Sequence, residues 1–197
     1  MPRPRNPELP RMLLEAARTM LVQQGQPSFS LRSLSAEVGY TLTAIYRCYA
    51  DRAALLRALQ LHLFGELNSY VVPPPGISAY DAVLHGGRKF VEWAMAHPAE
   101  YLFMFNSYDP SVLLSPSEAR TAQTGMHMFA ELLRLAHRNG EVALDAPDIV
   151  AVQLIASLHG LVSLSLTGRL ANTPGGDLRA YFDTHVEAQL RGLLPRR

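Results

Sequence analysis

The heptapeptide TLTAIYR, Thr41 to Arg47, gathers the residue types from which a recognition surface is made. At helical spacing Ile45, Cys48 and Tyr49 turn inward, which leaves Leu42, Thr43, Tyr46 and Arg47 as the outward set. Hydroxyl and guanidinium donors beside apolar carbon suit hydrogen bonding to a ligand surface, with no bond made or broken. Catalytic chemistry finds no foothold elsewhere. The chain has no GxSxG, P-loop, HExxH or Gly-rich dinucleotide turn, and its seven histidines lack metal-ligand spacing. A single cysteine, Cys48, excludes an intramolecular disulfide and any CxxC metal site, and fits a reducing cytosol. Cys48 reads as a small packing residue rather than a redox sensor. The expectation is a protein that is not an enzyme and needs no cofactor or metal.

These residues need elements to present them. Ser30 is a cap for a helix over 31–38 that Gly39 ends, and Thr41 caps a second helix over 42–49. Two short helices around a glycine turn have helix-turn-helix geometry, in which the second helix is offered to the major groove. Leu31, Leu34 and Val38 face inward on the first of them. A preceding helix over 7–24, with Leu13, Ala17, Met20 and Leu21 as its stripe, is stopped by Gly25. A following helix, capped by Asp51 and running to Ser69, carries Leu55, Leu56, Leu59, Leu63 and Leu67 on one side.

Charge distribution agrees with a polyanionic partner for this part. Residues 1–62 hold eight arginines against four acids, whereas the whole 197-residue chain carries only +1. Arg3 and Arg5 form either a minor-groove arm or a disordered tail with weak phosphate attraction. Apolar residues make up 48% of the chain, enough to exclude global disorder. The proline-rich, basic start lacks the apolar core of a signal peptide.

The remainder also reads as helix: VVPPPG is a linker, followed by helices over 78–97, 98–106, 115–139, 146–170 and 177–194. Ser78 with Asp81, Ser115-Pro116-Ser117-Glu118 and Asp145 are the start signals. The fold expected is all-α, about nine helices, with a helix-turn-helix domain at 1–62 and a helical bundle at 63–197. Trp93, Tyr101, Met104, Phe105, Tyr108 and Phe129 lead a cluster of large or flexible apolar side chains that forms either an ordinary core or an adaptable pocket. Gly87 and Gly125, on apolar stripes, either let helices touch or leave room for a ligand. His159 with Ser163, and Gln153 with Ser157, are polar pairs one turn apart on the helix over 146–170. That helix is apolar enough over 149–166 to be weighed as a membrane span. Its polar residues favour instead a helix buried in protein on most of its faces. The last two expected helices, the eighth (146–170) and ninth (177–194), carry more apolar surface than one chain covers, which points to an isologous four-helix dimer.

The run from Met12 to Leu61 resembles the DNA-binding domain of the TetR family of bacterial repressors. Ala16-Ala17, Gly25, Leu34, Ala36, Gly39, Ala44, Ile45, Tyr46, Tyr49 and Leu55 occupy that family's places. Leu42 stands where a lysine or arginine is common, Cys48 where histidine is common, and Arg52 where lysine is usual. HPAEYLFMF and SLHGLVSLSLTGRL resemble the Trp-His-Gly class of C-terminal domains, with His159 and Gly160 matching and Leu158 in place of the tryptophan. The resemblance implies that Thr41, Tyr46 and Arg52 touch phosphates and that Leu42, Thr43 and Arg47 lie near bases. Leu42 can meet only an apolar edge such as thymine methyl, and Arg47 is the long donor able to read guanine. Tyr46 has a second reading, core packing, and Arg47 a second reading as a solvated charge. The resemblance further implies a cytoplasmic, homodimeric transcriptional regulator. It would be a repressor released from a pseudo-palindromic operator when a small apolar or aromatic effector binds among Trp93, Tyr101, Met104, Phe105, Tyr108, Gly125, Phe129, His159 and Ser163. A binding protein that kept the fold but lost specific DNA binding is the rival reading.

Overall fold

The computed structural model describes residues 6–24, 30–105, 112–170 and 184. Among these residues the secondary structure is helical, with no strand: α1 (Leu9–Gln24), α2 (Leu31–Val38), α3 (Leu42–Tyr46), α4 (Arg52–Tyr70), α5 (Ala79–Ala96), α6 (Pro98–Phe105), α7 (Pro116–Ala122), α8 (Thr124–Arg138) and α9 (Pro147–Leu166). Apart from residue 184, the expected helix over 177–194 lies outside the described residues, as do Arg3, Arg5, Gly25 and Tyr108.

Local hydrogen bonding accounts for most helix starts. The Ser30 hydroxyl accepts from the Ser33 N–H at 3.0 Å and Ser33 returns the favour, closing a capping box. The Thr41 hydroxyl accepts from Ala44 N–H at 3.3 Å, an Asp51 carboxylate oxygen from Ala54 N–H at 2.6 Å, and the Ser78 hydroxyl from Asp81 N–H at 3.0 Å. Ser115 and Glu118 exchange a reciprocal pair of bonds at the start of α7. Gly39 sits at φ 66, the left-handed conformation that lets the chain turn from α2 toward α3.

Four expectations are corrected. The second helix of the pair ends at Tyr46, not Tyr49, because Cys48 N–H bonds back three residues to Ile45 C=O (2.9 Å) and tightens the turn. The helix expected over 115–139 is two helices, α7 and α8, parted at Gln123. Asp145 does not cap α9; Ala146 holds that position without a side-chain bond and Pro147 opens the helix. Finally, α9 is not buried on most faces. Only Ala151, Leu154, Leu158 and Val162 are buried, a single stripe, while Ile149 and Val152 are 60% and 56% exposed.

The chain divides into two compact units, Met1–Phe64 with Ala99–Ala119, and Gly65–Pro98 with Arg120–Arg197. The first is built on Leu13, Ala17, Leu34, Ile45, Leu55, Leu59 and Leu63, all fully buried. Burying each leucine or isoleucine contributes roughly 1.5–3 kcal/mol. The expected stripes of α1 and α4 are all buried, Leu67 as part of the second unit, and α1 packs on α2 and α2 on α3. In the second unit α5, α8 and α9 pack mutually, around Val83, Trp93, Ala94, Leu133, Ala136, Leu154 and Leu158.

Candidate nucleic-acid interface and effector site

The α2–turn–α3 pair presents its polar face outward. Thr41, Thr43, Tyr46 and Arg47 are exposed and Leu42 is half-buried, whereas Ile45 beneath them is fully buried. Tyr46, at 52% exposure, is not a core residue. Because the Thr41 hydroxyl accepts its capping bond, it keeps its own proton to donate outward. Arg52 opens α4 at half burial. Thr41 and Arg52 therefore stand where the free N–H groups of a helix start also attract an anion.

What holds this face in place lies behind it. Tyr49, just past α3, is half-buried, and its hydroxyl donates to the Pro10 carbonyl of α1 at 3.3 Å. Burial pushes the Tyr49 pKa above its ordinary value, with the Cys48 thiol adding to the rise, so this donor stays protonated. At the other side of the turn the Ser35 hydroxyl donates to the Tyr40 carbonyl, and Asn6 Nδ2 donates to the Tyr40 hydroxyl at 3.0 Å. Cys48 is half-buried, in keeping with a packing role.

The residues expected around an effector fall into both units. Tyr101, Met104 and Phe105 lie on α6 in the first. Tyr101 is fully buried, and that burial pushes its hydroxyl pKa far up. Its ring lies 4.9 Å from that of Phe105, which meets the α4 residue Phe64 edge-on at 5.3 Å. Trp93, Gly125, Phe129, His159 and Ser163 lie in the second unit, on α5, α8 and α9. Trp93 is buried, with the His97 ring 4.9 Å away. His159 and Ser163 are half-buried on α9, on the side of the exposed Val152 and Ala156 rather than of the buried stripe, and burial lowers the His159 pKa. Leu158, where the expected signature has tryptophan, is a stripe residue.

Of the two roles open to Gly125, the helix contact is realised. Its N–H donates to Asn68 Oδ1 at 3.1 Å, and a Cβ there would collide with that oxygen unless the Asn68 side chain moved. Gly125 is the second residue of α8, so its N–H has no partner within the helix, and the Gln123 side chain does not cap it. Asn68, 57 residues away on α4, supplies the cap.

Two further contacts in the first unit had no local signal. Arg18 Nε on α1 donates to Glu100 Oε1 on α6 at 3.0 Å across 82 residues of sequence, with Glu100 only 4% exposed. Gln60 Nε2 on α4 donates to the Met104 carbonyl at 3.1 Å, in the last turn of α6.

Residues 83–189, more than half of the chain, match a family model described as the tetracyclin repressor-like C-terminal domain. Over 127 residues the chain is 32% identical to the HTH-type transcriptional repressor LfrR of Mycolicibacterium smegmatis, covering 64% of each protein. The chain thus spans under two thirds of that relative's length. Similar folds include a Rhodococcus protein of unknown function (TM-score 0.82, 22% identity, 99% of this chain and 100% of that one). Another is a Rhodococcus regulatory protein of the tetR family (TM-score 0.71, 17% identity, 98% and 100%).

Proposed function

The chain belongs to the tetracycline repressor-like (TetR) family of transcriptional regulators, and from that premise we propose that it is a homodimeric repressor that a small apolar or aromatic effector releases from a pseudo-palindromic operator. The observation that carries the DNA half of this reading is the exposed row Thr41, Thr43, Tyr46 and Arg47 above a fully buried Ile45. Thr41, Tyr46 and Arg52 hold phosphates and fix the register, while Leu42, Thr43 and Arg47 face base edges. The repressor sign draws support from LfrR, which is called a repressor.

The effector site proposed is on α5, α8 and α9. Trp93 and Phe129 supply apolar surface there, His159 and Ser163 supply polar groups, and Gly125 marks the start of α8. Effector and operator then compete through their preference for different conformers, and the shift equals the difference in affinity. Helix α4 contributes residues to both units and is the element through which such a preference would pass. A regulator of this kind works in the cytoplasm.

The test is electrophoretic mobility of a duplex from the region upstream of its own gene. A shift that weakens steeply with salt is expected, since phosphate contacts release counterions. Tyr46→Ala should weaken it about tenfold, the scale of a lost hydrogen bond to a charged group, and leave effector affinity as it was. No salt-sensitive shift at low salt would end the DNA reading.

A further inference from the structure

Helix α6 follows the reading helix by about fifty residues, yet it belongs to the same compact unit. Its two ends are joined to two different helices of that unit by polar contacts. In the first turn Glu100 accepts from Arg18 of α1 at 3.0 Å; in the last turn the Met104 carbonyl accepts from Gln60 of α4 at 3.1 Å. Next to the second of these, Phe105 meets Phe64 of α4 edge-on at 5.3 Å. Helix α1 in turn holds the end of the reading segment, because the Pro10 carbonyl receives the Tyr49 hydroxyl at 3.3 Å. A continuous path thus runs from Glu100 through Arg18, along α1 to Pro10, and across to Tyr49 beside Tyr46 and Arg47.

We propose that Arg18 and Glu100 are positioning residues for DNA recognition: their ion pair sets the pose of α1 against α6, and so the pose of the reading helix. The inference rests on the DNA-binding reading above and extends it to residues outside the helix-turn-helix. The Glu100 side chain is 6% exposed and the Arg18 side chain 21%, so the pair is largely out of water. In such a place an ion pair is a poor source of stability compared with apolar side chains of similar size, but its direction-dependent geometry selects one arrangement among several. An apolar pair would fill the same space without fixing the angle. The two roles therefore separate experimentally.

The experiment compares wild type, Arg18→Met with Glu100→Leu, and Glu100→Gln. Each is checked by circular dichroism and thermal melting, and each is titrated with the upstream duplex at a temperature where it is fully folded. The double apolar variant is expected to melt at or above the wild-type temperature and yet bind the duplex about tenfold more weakly, the size of a typical coupling between sites. Glu100→Gln should show weaker binding in the same direction. Wild-type affinity in a folded double variant would overturn the proposal. So would failure of both variants to fold, which would make the pair a stability element. Absence of binding by the wild type would instead remove the DNA-binding reading on which the inference stands.

Discussion

Asn68 does for α8 what a residue at the helix's own start usually does. Its Oδ1 takes the Gly125 N–H at 3.1 Å, and Gln123 makes no such bond. Asn68→Ala should therefore cost about 1 kcal/mol, the ordinary loss of an N-cap, measured by urea unfolding. Gly125→Ala should displace Asn68 from its bond, because its methyl would meet the same oxygen, and the gain in helix propensity then offsets the lost cap. Equal stability of Asn68→Ala with wild type would show that α8 starts without this contact. His159 gives a pH-dependent counterpart. Burial lowers its pKa from 6.5, so the unfolded chain takes up the proton more readily than the folded one. Stability should accordingly fall as pH drops from about 6.5, and be unaffected by this residue above it. Urea midpoints at about pH 8 and pH 5.5 test this: the fall between them should be smaller in His159→Gln, which has no proton to gain. An identical fall in both proteins would remove His159 as its source.

At the scale of elements, what could be read in advance was what is decided locally. Ser30, Thr41, Asp51 and Ser78 announce their helices because a short polar side chain and the third N–H beyond it are neighbours in sequence. The stripes Leu13, Ala17, Met20, Leu21 and Leu55, Leu56, Leu59, Leu63, Leu67 were legible because period and apolarity coincide, and all are buried. The break between α7 and α8 was not legible, since it has no proline and its cap comes from a residue 57 positions away. Nor was the attachment of α6 to the reader unit, which depends on Glu100 finding Arg18. In the candidate effector site, residue type showed a cluster of aromatics but not how it divides between two units. Helix α4 offers a test of local against tertiary control. Gly65 lies in its interior with no atom within 4 Å of where a Cβ would stand. Gly65→Ala should then raise stability by about 0.5–1 kcal/mol, as in any open helical site. A loss of stability on melting would mean that the helix needs flexibility there.

At the scale of the whole molecule, α9 is the element that keeps an exposed apolar face among the described residues. Its buried stripe, Ala151, Leu154, Leu158 and Val162, packs in its own unit. The opposite face runs through Ile149, Val152 and Ala156, all exposed. Twenty residues of high hydropathy with one buried stripe satisfy the length and composition of a membrane-crossing helix. Gln153, Ser157, His159, Ser163 and Ser165 would then have to enter lipid, which is costly, whereas a second copy of the face through Ile149, Val152 and Ala156 offers apolar contact without that cost. Dimerisation through this face also matches the DNA reading, because one short helix such as α3 reads few base pairs and two held at a fixed separation read a pseudo-palindrome. Val152→Arg discriminates between these views. The residue is 56% exposed in the protomer, so the substitution should leave the helical circular dichroism unchanged. In an isologous dimer the two arginines would face one another across an apolar contact, and unpaired buried charge is strongly unfavourable. Sedimentation should find the variant monomeric at concentrations where the wild type is dimeric. Its affinity for the upstream duplex should fall at least about a hundredfold, since linkage of two half-sites commonly contributes that much. A Val152→Arg protein that sediments as a dimer would move the interface off this face of α9.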